Sequence, residues 1–345
     1  MNPLTDRLKL RWPLIQAPMA GVQDSALALA VGGAGALGSL PAAMLAPEAL
    51  RAELAALQAS GRPCNVNFFC HQPPAPDTAR EAAWRAALKP YYDELGLDVN
   101  AIPAGPGRRP FDAETAALLA EFRPAVVSFH FGLPAPELLA RVKAWGAFVL
   151  SSATTVREAL WLQAHGADAI VAQGLEAGGH RGHFLSDDLS EQMGTFALLP
   201  QVVRAVKLPV IAAGGIADAA GVRAAMALGA AGVQVGTAYL CADEATTTPL
   251  PRAALQSDAA RHTALTNCFT GRPARGIVNR LVREQGPISP SAPAFPLATS
   301  AVGPLRAAAE KAGSTDFSPL WSGQNASACR SAPAADISRA LAQGF

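Results

Sequence analysis

The chain has 345 residues, 50% of them hydrophobic and 16% charged, with a formal net charge of +1. That length points to one large domain, or a large domain carrying a smaller one, and the near-neutral charge gives no electrostatic pull toward nucleic acid or an anionic membrane. Five cysteines (Cys64, Cys70, Cys241, Cys268, Cys329), odd in number, scattered and without a CxxC pair, read as reduced cytoplasmic thiols rather than a disulfide frame or a zinc site.

The chain opens on mixed charges (Asp6, Arg7, Lys9, Arg11), and the WPLIQAPMAG that follows is too short and broken for a secretory leader. Ser25 to Pro47 carries no charge, long enough to span a bilayer. Its GGAGALGS and LP interruptions and its Ala/Gly bias argue against a membrane helix. Short apolar runs then recur: LIQAPM (14–19), ALGSL (36–40), CNVNFF (64–69), AVVSFHF (125–131), AFVLSS (147–152), AIVAQ (169–173), PVIAAG (209–214) and GVQVGTA (232–238). Alanine-rich amphipathic segments such as 154–167 and 218–230 separate most of them. Eight apolar strands alternating with helices predict an α/β fold, a closed parallel (β/α)8 TIM barrel, with an open doubly wound sheet as the alternative.

The spacing is uneven. The third-to-fourth interval contains HQPPAPD and IPAGPGRRP, an excursion over the mouth or side of the barrel. About a hundred residues follow the eighth strand, with helices predicted at 251–261 and 303–313. The expected division is a barrel over 1–240, an inserted substrate-covering lid over 241–325, and a terminal helix over 326–345 that returns to the barrel.

GGAGALG (32–38) satisfies the GxGxxG pattern, but a helix precedes it and a strand follows. That is the reverse of the dinucleotide fingerprint, so Gly32 and Gly33 read as a helix C-cap. AAGGIAD (212–218) ends the seventh strand and opens a helix with Asp218 as N-cap, and Gln234, Val235, Gly236 and Thr237 end the eighth. The loops after these strands form the phosphate site of such barrels, so Gly214, Gly215, Gly236 and Thr237 are candidate backbone donors. Asn65 and Asn67 alternate on one strand face. Either they tie adjacent strands or they read the edge of a flat heterocycle, as could Gln173 at the end of the sixth strand. His130 ends the fourth strand between two phenylalanines, equally a core or a site residue. In AQGLEAGGHRGHF (172–184) the His180–His183 spacing, with Asp187 and Asp188 nearby, suggests a metal only weakly. A glycine-rich loop does not preset the third ligand, so no metal is expected.

QAPMAGV (16–22), NVNFFCH (65–71), SFHFGLP (128–134) and AQGLEAGGHRG (172–182) together resemble the four motifs of class I nitronate monooxygenases, formerly 2-nitropropane dioxygenases. AAGGI, QVGTAYL, FTGRPARGIVN (269–279) and LWSGQ (320–324) also match, so the likeness runs in order through nearly the whole chain. The resemblance implies a barrel with a smaller covering domain, tightly bound FMN, and oxidation of alkyl nitronates, notably propionate 3-nitronate. The oxidant is O2, the route is one-electron transfer through a flavin semiquinone, and the products are a carbonyl compound and nitrite. It implies His180 as the catalytic base. Asn67, Gln173, Gly178, Gly179, Gly214, Gly215, Gln234, Val235, Gly236 and Thr237 become flavin contacts, and the Ala17–Pro18–Met19 backbone lies along the ring. His130, His183 and Gln324 are weaker substrate candidates, and Arg181 either orients substrate or makes a structural salt bridge. A monomer or homodimer is expected, with a detoxifying role.

A related flavin group, NAD(P)H-dependent quinone reductases and enoyl-thioester reductases, shares much of this scaffold and is the alternative reading. A non-flavin phosphate-binding lyase or isomerase would need a barrel lysine or a metal cluster. No lysine falls at a predicted strand end.

Overall fold

The computed structural model describes residues 2–102 and 108–345. Eleven strands lie among them: β1 (Leu14–Gln16), β2 (Gly38–Pro41), β3 (Cys64–Phe69), β4 (Val126–His130), β5 (Phe148–Ala153), β6 (Ala169–Gln173), β7 (Gly179–His180), β8 (Val210–Ala213), β9 (Gly232–Val235), β10 (Thr263–Thr266) and β11 (Ala274–Ile277). Eight of them form one parallel sheet in the order β1-β9-β8-β6-β5-β4-β3-β2. The sheet closes where β1 meets β2. There the Gln16 N–H donates to the Leu37 carbonyl at 2.9 Å, and the Leu37 N–H donates to the Leu14 carbonyl at 2.9 Å. This is the (β/α)8 barrel, and all eight predicted strands are in it. The first and last stop short of their predicted ends, because Pro18 has no N–H for a ladder and Thr237–Tyr239 turns into a 3-10 helix.

Alternation along each strand builds two layers. Ile15, Leu37, Val126, Leu150, Ala169, Val171, Ile211 and Ala213 form one buried cluster, joined by Leu4 and Leu8 of the helix Pro3–Leu8. Their sequence neighbours Leu14, Ile170, Val210 and Ala212 pack outward against the surrounding helices. Each fully buried aliphatic side chain contributes roughly 1.5–3 kcal/mol, and the period-2 pattern sorts them between the barrel interior and the helix layer. In GGAGALG the helix Ser25–Gly33 ends at Gly33, and Ala34 stands at the cap. Gly38 is needed for packing, since a Cβ there would lie 2.0 Å from the Ala28 carbonyl oxygen.

A second layer sits beside the barrel. It contains the helices Pro249–Leu255, Arg280–Gln285 and Ala298–Lys311 with the antiparallel pair β10–β11. The predicted helix over 251–261 is split, with Ser257 capping a separate 3-10 turn at Asp258–Arg261. The helix predicted over 303–313 begins earlier, at Ala298. The interval read as an excursion holds a 17-residue helix, Thr78–Glu94. Its Trp84, Leu88, Tyr91 and Tyr92 share a core with Leu281, Val302, Leu305 and Phe317, and the Tyr92 hydroxyl donates to the Ala301 carbonyl at 2.6 Å. The covering layer therefore draws on chain outside 241–325. Residues 103–107, within IPAGPGRRP, lie outside the described residues. The helix Ala334–Ala342 packs against Ser25–Gly33 and Ala219–Ala227. No helix among the described residues is long and apolar enough to cross a membrane.

Candidate active site

A cavity of about 320 Å³ opens at the carboxyl ends of the barrel strands, within the roughly 300–1,000 Å³ range of small-molecule sites. Ala17, Pro18, Met19, Asn67, His130, Gln173, Gly178, Gly179, His180, Gly214, Gly215, Gln234, Gly236 and Thr237 all line it. Val235 does not: its side chain points into the core, and its carbonyl accepts the Ala17 N–H at 2.8 Å.

His180 is not on a free loop. With Gly179 it forms β7, which pairs antiparallel with β11, Ala274 opposite His180 and Arg275 opposite Gly179. The His180 carbonyl also accepts from Gln173 Nε2 at 3.0 Å and from His130 Nε2 at 3.1 Å. Around the imidazole stand Phe69, Phe131, Phe295 and Trp321, with ring centroids 5.3–6.3 Å away. His180 Nε2 lies 2.9 Å from Thr270 Oγ1. That hydroxyl has the Arg272 carbonyl as acceptor at 3.3 Å and receives the Arg272 N–H at 3.4 Å. Thr270 can thus accept from an Nε2–H, an arrangement that leaves the Nδ1 lone pair free. Burial, then the positive charges of Arg108 and Arg272, holds His180 well below the usual histidine range, so the imidazole is neutral at physiological pH.

The adjacent glycines have different causes. A Cβ on Gly178 would lie 2.5 Å from the Gly323 nitrogen and 2.6 Å from the Ser322 carbonyl carbon, so the residue is required by a crossing strap. Gly179 has φ +70 and open space where a side chain would stand. The strap ties the barrel loops together. The Gly323 N–H donates to Thr237 Oγ1 (2.9 Å), the Gln324 N–H to the Glu176 carbonyl (2.9 Å), and Asn325 Nδ2 to the Gly215 carbonyl (3.1 Å). Gln324 acts through its backbone, and its side chain is exposed. Asp218 caps the helix Ala219–Ala227 through the Gly221 N–H at 2.8 Å. Of the four candidate backbone donors, the loop N–H groups of Gly215 and Thr237 meet no protein acceptor among the described residues.

The remaining candidates separate cleanly. Asn65 and Asn67 do tie strands, Asn65 to Ser39 (2.9 Å) and Asn67 to Ser128 Oγ (2.9 Å), and only Asn67 also reaches the cavity. Gln173 spends its amide on the 180–182 loop, accepting from the Gly182 N–H at 2.8 Å as well as donating to His180. Both ring nitrogens of His130 are engaged, Nδ1 with Ser152 Oγ at 3.0 Å, so it holds the His180 main chain and has no nitrogen left for substrate. His183 is buried away from the cavity, with Asp187 3.5 Å from Nε2. Among the described residues no three His, Cys, Asp or Glu side chains converge on a metal position. Arg181 makes neither expected contact: fully buried, it donates to the carbonyls of Gln173 and Gly174 (2.7 Å each) and to Gln192 Oε1 (2.8 Å). Sequence reading missed Thr270, Arg108 and the aromatic wall. Thr270 was visible only as part of the turn-rich FTGRPARG segment.

Burial pushes His130 and His183 down to about 3. In the unfolded chain both take up a proton near 6.5. Stability is therefore full above pH 6.5 and falls with pH toward 3, each histidine contributing at most about 1.4 kcal/mol per pH unit. The urea midpoint is expected to drop steadily between pH 6.5 and 4.5, and a flat profile would contradict the buried neutral state.

The family model described as "Nitronate monooxygenase" matches residues 1–344. A nitronate monooxygenase of Pseudomonas aeruginosa is 42% identical, the match covering 99% of each chain. The structure of nitroalkane oxidase from Streptomyces ansochromogenes superposes with a TM-score of 0.89 at 39% identity, over 98% of this chain and 96% of that one. A FabK variant from Thermotoga maritima follows at TM-score 0.72 and 27% identity, over 99% and 94%. With a half-buried histidine at the mouth of the barrel and a match along its whole length, the chain belongs to the nitronate monooxygenase family of flavin-dependent oxidoreductases.

Proposed function

We propose that the cavity binds FMN and that the protein oxidises alkyl nitronates, propionate 3-nitronate among them, with O2. The observation that carries this reading is the neutral His180 imidazole, pinned through its backbone from three sides, in a cavity also lined by loop N–H groups without a protein acceptor among the described residues. Those N–H groups, of Gly215 and Thr237, suit a phosphate, and the open face at Gly179 suits a flat ring. Ala17, Pro18, Met19, Asn67, Gln173, Gly178, Gly179, Gly214, Gly215, Gln234, Gly236 and Thr237 would hold the flavin, with Val235 contributing backbone only. When bound, it supplies the electron acceptor that no side chain of this cavity provides.

The chain's own part is proton handling and enclosure. His180 Nδ1 takes the carbon-bound proton of a neutral nitroalkane, while Thr270 fixes the tautomer and His130 and Gln173 fix the main chain. Phe69, Phe131, Phe295 and Trp321 keep water from the carbanion-like carbon. The region 241–325, together with the helix Thr78–Glu94, serves as the cover. Anaerobic mixing of the flavin-loaded protein with propionate 3-nitronate is expected to bleach the flavin, and NADH and NADPH to leave it oxidised. Bleaching by a nicotinamide alone would replace this reading with a reductase.

A further inference from the structure

The five cysteines are free thiols, and three of them sit in surroundings that keep them inert. Burial pushes Cys64 up to about 11, and it raises Cys70 and Cys268 as well. Cys241 and Cys329 differ, because they meet. Cys241 follows the 3-10 turn Thr237–Tyr239 and is fully buried. Cys329 is partly exposed and packs on the apolar cluster of Leu240, Cys241, Leu255, Ile277 and Leu320. Their main chains are fixed side by side: Ala242 bridges Ala332, and the Asp243 N–H donates to the Ala332 carbonyl at 3.0 Å. The Cys329 S–H has two acceptors in reach, the Thr237 carbonyl at 3.0 Å and the Cys241 sulfur.

The surroundings favour an anion at Cys241. Arg252 has no carboxylate partner among the described residues, and its guanidinium donates to the Cys241 and Ala242 carbonyls at 2.7 Å each. The hydrogen bond from Cys329, with this charge behind it, outweighs burial and holds Cys241 below the usual thiol range. The same contact raises Cys329. A buried nucleophile therefore stands beside a thiol that solvent can reach.

We propose that Cys241 and Cys329 form a reversible disulfide, with a small external disulfide as oxidant, and that the bond latches the strap 320–329 onto the turn after β9. In the first step Cys329 attacks the external disulfide, its proton passing to the Cys241 thiolate. A mixed disulfide forms at Cys329, the external S–S bond breaks, and one small thiolate leaves. That thiolate takes the proton back from Cys241, whose sulfur then attacks Cys329 and expels the second small thiolate, which is protonated from solvent. Two electrons have passed from the cysteine pair to the oxidant, which ends as two thiols. The strap already rests on this turn, the Gly323 N–H on Thr237 Oγ1 and the Gln324 N–H on the Glu176 carbonyl, so a covalent bond at Cys329 restricts its opening. The inference is independent of the oxidation reading above, since thiol exchange requires neither flavin nor nitronate.

The test treats the protein as purified with hydroxyethyl disulfide and digests it without reduction. A Cys241–Cys329 cross-linked peptide is expected, with two of the five thiols lost and both restored by dithiothreitol. Hydrogen exchange at the Gly323 and Gln324 amides should slow about tenfold or more in the oxidised protein. Cys329→Ser, at the partly exposed position, and Cys241→Ser should each block the cross-link and leave exchange insensitive to the oxidant. Five free thiols after treatment, a mixed disulfide that persists at Cys329 of the wild type, or a bond to another cysteine overturns the pair. A cross-link that leaves exchange at Gly323 and Gln324 unchanged overturns the latch.

Discussion

Substitution of His180 by asparagine is expected to lower kcat/KM for a neutral nitroalkane by roughly 10²- to 10⁴-fold, the usual contribution of a positioned general base, and to cost a preformed nitronate less than about tenfold. The difference follows from where the proton is. A neutral nitroalkane must lose a carbon-bound proton before it has electrons to give, and a nitronate has already lost it. The proposed acceptor is His180, whose Nε2 lies 2.9 Å from Thr270 Oγ1 and whose backbone is held by Gln173, His130 and β11. Its depressed pKa has two opposing effects. The imidazole is almost wholly in its basic form at neutral pH, but it is a weaker base than a free histidine. The groups that depress it, Arg108 and Arg272 after burial itself, repay part of this by favouring the anion that forms. Asparagine keeps a polar group near Thr270 and little of the basicity. Parallel steady-state kinetics on nitroethane and ethyl nitronate decide the matter, and equal losses on both would remove His180 from the proton-transfer step.

Much of this architecture could be read in the sequence because it rests on local rules. Short continuous apolar runs marked all eight barrel strands, and the helix-then-strand order around GGAGALG excluded a dinucleotide site. Turn glycines at Gly214 and Gly215 marked the loop ahead of a helix capped by Asp218. The missing parts depend on contacts distant in sequence. Gly178 resembles a residue freed for a ligand, yet the atoms that require it belong to Ser322 and Gly323, well over a hundred positions later. His130 between two phenylalanines could be core or site. It is neither in the simple sense, since it holds the carbonyl of His180, fifty residues on. The helix Thr78–Glu94 sits in a Pro-rich interval and carries its own internal Pro90, so its pattern is weak. Its partners, Leu305 and Phe317, are visible only in three dimensions.

Arg181→Met is expected to destabilise the protein by about 3 kcal/mol and to disorder the segment carrying His180. Two effects compete. A fully buried guanidinium with no carboxylate within ion-pair distance among the described residues is costly to desolvate, and that burial pulls it down to about 9 from its usual value above 12. It nevertheless remains charged at neutral pH. A methionine of similar length removes this cost and keeps the packing. Against that, three charge-assisted hydrogen bonds of 2.7–2.8 Å join both ends of the 173–182 segment to Gln192, and without them the Gly174 carbonyl would keep only the Ala177 N–H at 3.1 Å. Each such bond contributes roughly 1.5–3 kcal/mol, and a buried acceptor left alone costs about 1–3, so the hydrogen bonds win. Arg181→Lys keeps the charge but cannot fork to three acceptors, and it is expected to lose nearly as much as Met. The urea midpoint should fall in both variants with an unchanged slope, and the nitroalkane-to-nitronate rate ratio should drop as His180 loses its anchor. If Arg181→Met proved as stable as the wild type, desolvation would outweigh the clamp, and Gln173, His130 and the pairing with β11 would hold His180 without it.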